Sequence, residues 1–210
     1  MRVVSVNVGK PTEIEWMGKT VRTSIFKHPV TGTRKVSFLN IEGDEQSDLQ
    51  VHGGINKAVY TYDIIYYEHW KTILPREDWQ YGMFGENITT VGMTDDEVKI
   101  GSIYHVGTAK LQVVQPRFPC FKLNIRFALP GMIDQFIQQQ RNGIYFKVVE
   151  EGIVQVNDEI KLVVPSPYNV SIADYVNCYY SKGSEKSILK TLLSVPGLPE
   201  RHRTVFEGYL

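Results

Sequence analysis

The sequence predicts a mainly β fold of the α+β kind: a barrel or sandwich with inserted helices and a C-terminal three-helix unit. Three observations predict it. Short runs alternating apolar and polar residues recur through the first two-thirds of the chain, with turn residues between them. Only two stretches inside that region carry helical spacing. After Pro165-Ser166-Pro167 the texture changes to helix.

RVVSVNV opens the β region, and TEIEWMGKTVRTSIFK reads as two strands joined at Met17-Gly18, where glycine suits a hairpin turn. RKVSFLNI and KAVYTY continue the pattern. Further on, EVKIGSIYHVG, AKLQVVQP, GIYFKVVEEG and DEIKLVV alternate in the manner of half-buried strands. So many short strands at close spacing imply a barrel or sandwich. Ile64 to Leu74, and Met132 to Arg141 behind Pro130-Gly131, read as helices inserted into it.

In the last segment Ser171 suits an N-cap, followed by Ile172, Tyr175, Val176 and Tyr179 at helical spacing. A second helix from Ser184 carries Ile188, Leu189, Leu192 and Leu193 on one face. A third runs from about Pro199 to Leu210 with Val205, Phe206 and Tyr209. Two units are expected, 1–168 and 169–210. The second, at roughly 40 residues, is too small to stand alone and should pack on the β unit or in a homodimer.

A chain of 210 residues with 42% hydrophobic and 22% charged residues buries a full core without disulfides. Lys plus Arg and Asp plus Glu number 23 each, leaving no overall field to draw nucleic acid or an anionic membrane. MRVVSVNVGK is too short for a signal peptide or a spanning helix, so a cytoplasmic protein without membrane contact is expected. Cys120 and Cys178 are too few for a disulfide scaffold, an iron-sulfur cluster or a four-thiolate zinc site. The five histidines lack the spacing of a zinc-binding helix, and neither a phosphate loop nor a dinucleotide fingerprint occurs.

The densest chemistry lies in QPRFPCFKLNIR, where Arg117, Lys122 and Arg126 surround Cys120 and two prolines stiffen the approach. Neighbouring cations favour a thiolate, the form that attacks electrophiles and binds soft metals. The same spacing also suits a small buried cysteine at a strand end. DLQVHGGINKAVYTY places His52 and Lys57 on either side of paired glycines, an arrangement that serves an anion or an ordinary turn. MFGENITTVG gathers polar groups that suit a site loop or the cap of a strand. Cys178, among aromatic residues on a helix, reads as core.

Taken in order, VHGGINKAVY, FGENITT and QPRFPCFKL resemble the successive motifs of the MOSC family, named for the C-terminal domain of molybdenum cofactor sulfurase. The chain is most similar to the YiiM-type bacterial branch, which confers resistance to hydroxylaminopurine. The likeness runs from near Ser5 through GKTVRTSIFKHPV and IEGDEQSDLQVHGG, and into C-terminal helices that resemble that branch's 3-alpha domain. It implies a MOSC-type β-barrel over 1–168 and a 3-alpha unit over 169–210. Asn56 and Phe118 depart from what is frequent at their positions.

The resemblance implies a molybdenum-molybdopterin cofactor with Cys120 as the metal's protein ligand, and Arg117 and Lys57 as basic catalytic residues beside it. It places His52, Gly53, Asn87, Thr89 and Lys122 in motifs that contact the pterin or its phosphate. It further implies reduction of N-hydroxylated small molecules of the hydroxylamino-purine type to amines, with electrons from a flavoprotein reductase. The alternative is a sulfur-carrier or cofactor-binding module in which Cys120 holds a persulfide.

Overall fold

The computed structural model of the protein describes residues 1–47 and 53–210. In chain order its elements begin with β1 (Arg2–Val8), the hairpin of β2 (Thr12–Trp16) and β3 (Lys19–Thr23), β4 (His28–Val30) and β5 (Arg34–Val36). A one-turn 3-10 helix (Ile55–Lys57) precedes β6 (Val59–Asp63), α1 (Ile64–Ile73) and β7 (Ile88–Val91). Then come β8 (Ile103–Val106), β9 (Ala109–Pro116), α2 (Lys122–Phe127), α3 (Met132–Gln139), β10 (Ile144–Glu150), β11 (Gly152–Val154) and β12 (Ile160–Val164). The helices α4 (Ile172–Tyr180), α5 (Lys186–Ser194) and α6 (Glu200–Glu207) follow.

Eight strands form one sheet in the order β12-β8-β9-β10-β6-β7-β1-β4, antiparallel except for β6 with β7. That parallel pair needs a crossover, which α1 and the loop after it supply. The sheet turns back on itself: Val3 N donates to Asp158 O at 2.9 Å, and Ile160 N donates to Met1 O at 2.9 Å. The contact amounts to an isolated bridge, Arg2 with Glu159, so no ladder closes among the described residues. The expected α+β fold is thus present as a large, mostly antiparallel sheet with inserted helices and three C-terminal helices, and the sheet does not close into a complete barrel among the described residues. Edge β4 is too short to occupy the whole of β1, which leaves its first residues to the segment before β12.

Several local readings fail for identifiable reasons. EVKIGSIYHVG yields a strand only at β8, because Gly101 at φ +84° breaks the extended path ahead of it. RKVSFLNI pairs over three residues with β11 and then turns. A helix over KLNIRF, α2, had no distinguishing periodicity in so short a run. By contrast Met17-Gly18 makes the β2–β3 turn with both φ positive, and Ser171 caps α4 through a reciprocal bond with Asp174.

Two cores result. One fills the sheet's interior with Val3, Val59, Ile88, Leu111 and Phe146, and continues without a break into Tyr175, Leu189, Leu192 and Phe206 of the C-terminal helices. The other is aromatic, built from Tyr62, Tyr66, Tyr67, Trp70, Phe84 and Phe136 between α1, α2 and α3. Its phenols and indole are bonded: Trp70 Nε1 donates to Tyr62 Oη at 2.8 Å, and Tyr62 Oη donates to Arg141 O at 3.1 Å. Burying such rings requires those partners. No described helix is long and apolar enough to cross a membrane.

Candidate functional site

A cleft of about 700 Å³, counted to its open mouth, lies where the turn after β9 meets the loops following β3, β5 and α1. Cys120 lines it, half-buried, at the entry to α2, and Lys122 lines it from that helix's first turn. Pro116 ends β9 and Pro119 follows, so the backbone leaves the sheet there and turns into α2, presenting Arg117, Phe118 and Cys120 to the cleft.

Arg117 is 5% exposed, its guanidinium 5.8 Å from the ring centre of Tyr60 and 5.0 Å from that of Phe136. Its backbone is clamped, N donating to Gly143 O at 3.1 Å and O accepting from Asn142 Nδ2 at 2.9 Å. Nη1 is buried and has no hydrogen-bond partner among the described residues. Ser24 Oγ, on the same cleft, is likewise buried and unpartnered. Unmet donors of this kind cost stability unless something else meets them.

The second wall is organised by Asp44, which sequence reasoning passed over. Its Oδ1 accepts from Gly9 N at 2.8 Å and pairs with Lys27 Nζ, and its Oδ2 accepts from Asn87 Nδ2 at 2.8 Å. Burial lowers the pKa of Lys27, and Asp44 opposes that shift. Asn87 Oδ1 accepts from Tyr60 N at 3.1 Å, so the amide holds its face of the cleft with one N–H of two engaged. Lys57 ends the 3-10 turn with Nζ 5.8 Å from the ring centre of Tyr145. Gln46 holds that turn, accepting from Gly54 N at 2.9 Å and donating to Lys57 O at 3.2 Å. Burial pushes the Tyr60 and Tyr145 phenols above their usual range and Arg117 opposes it, leaving both neutral.

The fold thus brings Cys120, Arg117, Lys57, Lys122 and Asn87 to one cleft. Thr89 is not among the residues that line it: it is fully buried, its Oγ1 donating to Glu86 Oε1 at 2.9 Å and accepting from Asn7 Nδ2 at 3.1 Å. Gly53, half-buried, adjoins the turn that carries Lys57 without lining the cleft, and His52 lies outside the described residues. Lys27, Asp44, Gln46 and Tyr145 were missed because each is unremarkable in its own segment. The signal that could have found the first three is the likeness of SIFKHPV and IEGDEQ to family motifs, whereas Tyr145 lies in neither segment. Among the described residues no three His, Cys, Asp or Glu side chains gather to hold a metal. A half-exposed thiol among buried cations and unmet donors suits an anion that carries a soft metal or an electrophile.

Residues 48–161, more than half of the chain, match the MOSC domain family. The uncharacterised protein YflK of Bacillus subtilis is 35% identical over 204 residues, covering 97% of this chain and 92% of that one. A protein named Reductase from Gibberella moniliformis is 35% identical over 150 residues, 70% of this chain and only 27% of that longer protein. The crystal structure of YiiM from Geobacillus stearothermophilus superposes with a TM-score of 0.83 at 32% identity, covering 100% of this chain and 98% of that one.

Proposed function

Since the chain belongs to the MOSC domain family and is of the YiiM type, we propose that it is a molybdenum-cofactor-dependent oxidoreductase that reduces N-hydroxylated compounds to amines. The observation that carries this reading is the pairing of the Cys120 thiol with the buried, partly unbonded Arg117 guanidinium on one cationic cleft. That donor set fits the group. Cys120 Sγ would be the soft protein ligand, and because no cluster of His, Cys, Asp or Glu gathers among the described residues, the pterin's sulfurs would supply the rest. Arg117, Lys57 and Lys122 offset the negative charge, and Asn87 and Ser24 supply neutral contacts to the pterin.

When bound, the cofactor supplies the two-electron couple. The net reaction breaks an N–O bond: two electrons and two protons enter, an amine and water leave. In this reading Lys57 Nζ, which lines the cleft, gives a proton to the departing oxygen, and Arg117 holds charge at the site without exchanging protons. The chain contributes no iron-sulfur or nucleotide relay, so the electrons come from a flavoprotein reductase that meets it transiently.

The test is molybdenum content per chain in protein purified anaerobically from a cofactor-competent host, for the parent and Cys120→Ala. Near-stoichiometric metal in the parent, with loss or an altered metal spectrum in the variant, is expected. Neither metal nor pterin in either protein sinks the reading and leaves the Cys120 persulfide carrier in its place.

A further inference from the structure

Four aromatic residues line the cleft, and they are not equivalent. Phe84 and Tyr60 are sealed into the protein at 0% and 2% exposure, and the ring of Tyr145 faces Lys57. Phe118 alone of the four, among the described residues, is a half-buried hydrocarbon ring with no cation over it, two positions from Cys120.

The far side of Phe118 is occupied by the C-terminal helices. Its ring centre lies 4.4 Å from that of Tyr179 and 5.9 Å from that of Tyr180, both on α4, and 5.1 Å from His202 on α6. His202 accepts from or donates to Tyr175 Oη at 2.6 Å, which fixes the imidazole behind the phenylalanine. Burial lowers the His202 pKa to about 4, so this backing carries no charge near neutrality. A ring held from behind on several sides and open in front is pre-organised for stacking, because little side-chain freedom remains to be lost on binding.

We propose that Phe118 is the specificity-determining residue of the cleft, a platform backed by α4 and α6 on which the planar aromatic ring of the substrate rests beside Cys120. The C-terminal helices are, in this view, a structural part of the substrate site. The inference rests on the N-hydroxylated-compound reading above and narrows it to aromatic members of that class.

Phe118→Leu, Phe118→Tyr and Tyr179→Leu test it, in cofactor-loaded protein reduced by methyl viologen, with 6-hydroxylaminopurine and N-methylhydroxylamine as substrates. Stacking losses of the usual size predict that Phe118→Leu raises KM for the purine roughly ten-fold, leaving kcat and the KM for the methyl compound within about two-fold. Phe118→Tyr restores the parent value, and Tyr179→Leu, which does not line the cleft, gives a smaller shift in the same direction. A second readout needs no cofactor: adenine slows alkylation of Cys120 by iodoacetamide in the parent and fails to do so in Phe118→Leu. Equal KM changes for both substrates, or undiminished adenine protection in Phe118→Leu, overturn the proposal. If the parent reduces neither compound, the reductase reading fails, and the adenine protection decides the role of Phe118 by itself.

Discussion

The loop ahead of β7 and the turn after β9 both looked like sites in the sequence, and the fold treats them in opposite ways. In residues 82–89 the carboxylate of Glu86 is fully engaged inside the protein. Glu86 Oε1 accepts from Tyr67 Oη at 2.6 Å, Gly82 N at 2.7 Å and Thr89 Oγ1 at 2.9 Å, and Oε2 accepts from Phe84 N at 3.1 Å. After β9 the backbone of Arg117 is clamped on both sides, yet its Nη1 has no hydrogen-bond partner among the described residues and Cys120 is half-exposed. A cluster of polar residues is thus a framework when its bonds are complete, and a candidate for binding when they are not. Asn87 sits at the junction, in the first segment yet on the cleft.

The contrast is broken most directly at Glu86. Glu86→Ala removes the acceptor for four donors inside the protein and should destabilise it by roughly 3–5 kcal/mol in urea unfolding. A loss under about 1 kcal/mol would show that the loop is not the framework claimed here.

Next comes acid, which should separate the two regions. The folded pKa of His202, about 4, lies below its ordinary 6.5 because burial disfavours the charged imidazole. The unfolded chain therefore binds the proton more readily, and stability is lost as pH falls from about 6.5 towards 4, by up to about 3 kcal/mol. Burial raises the pKa of Glu86, with Tyr67 and Gly82 opposing, so its contribution has the other sign: it is present in acid and is lost as pH rises through the folded value. Comparing the parent with His202→Leu across this window should show the parent losing more. Parallel pH profiles would mean His202 is not the group responsible.

The smallest stability effect belongs to Arg117. Arg117→Met removes a buried charge with an unmet donor and should change stability by less than about 1 kcal/mol, in either direction. Its effect appears in chemistry: the rate of Cys120 alkylation by anionic iodoacetate relative to neutral iodoacetamide should fall roughly five-fold. An unchanged ratio would separate Arg117 electrostatically from the thiol.

Much of this protein was legible before folding. Alternation marked the strands at β1, β9 and β10, capping residues marked α4, and the Arg-Phe-Pro-Cys run marked the half of the site carried by one segment. Such features are local, since turn chemistry, capping and the side-chain period act over a few residues. The clustering of Asp44 with Lys27 and Asn87, the retreat of Thr89 from the cleft and the backing of Phe118 by α4 and α6 were decided only in three dimensions. Each depends on which distant segment supplies the partner, and in the chain alone a carboxylate bonded to a buried lysine reads no differently from one facing water.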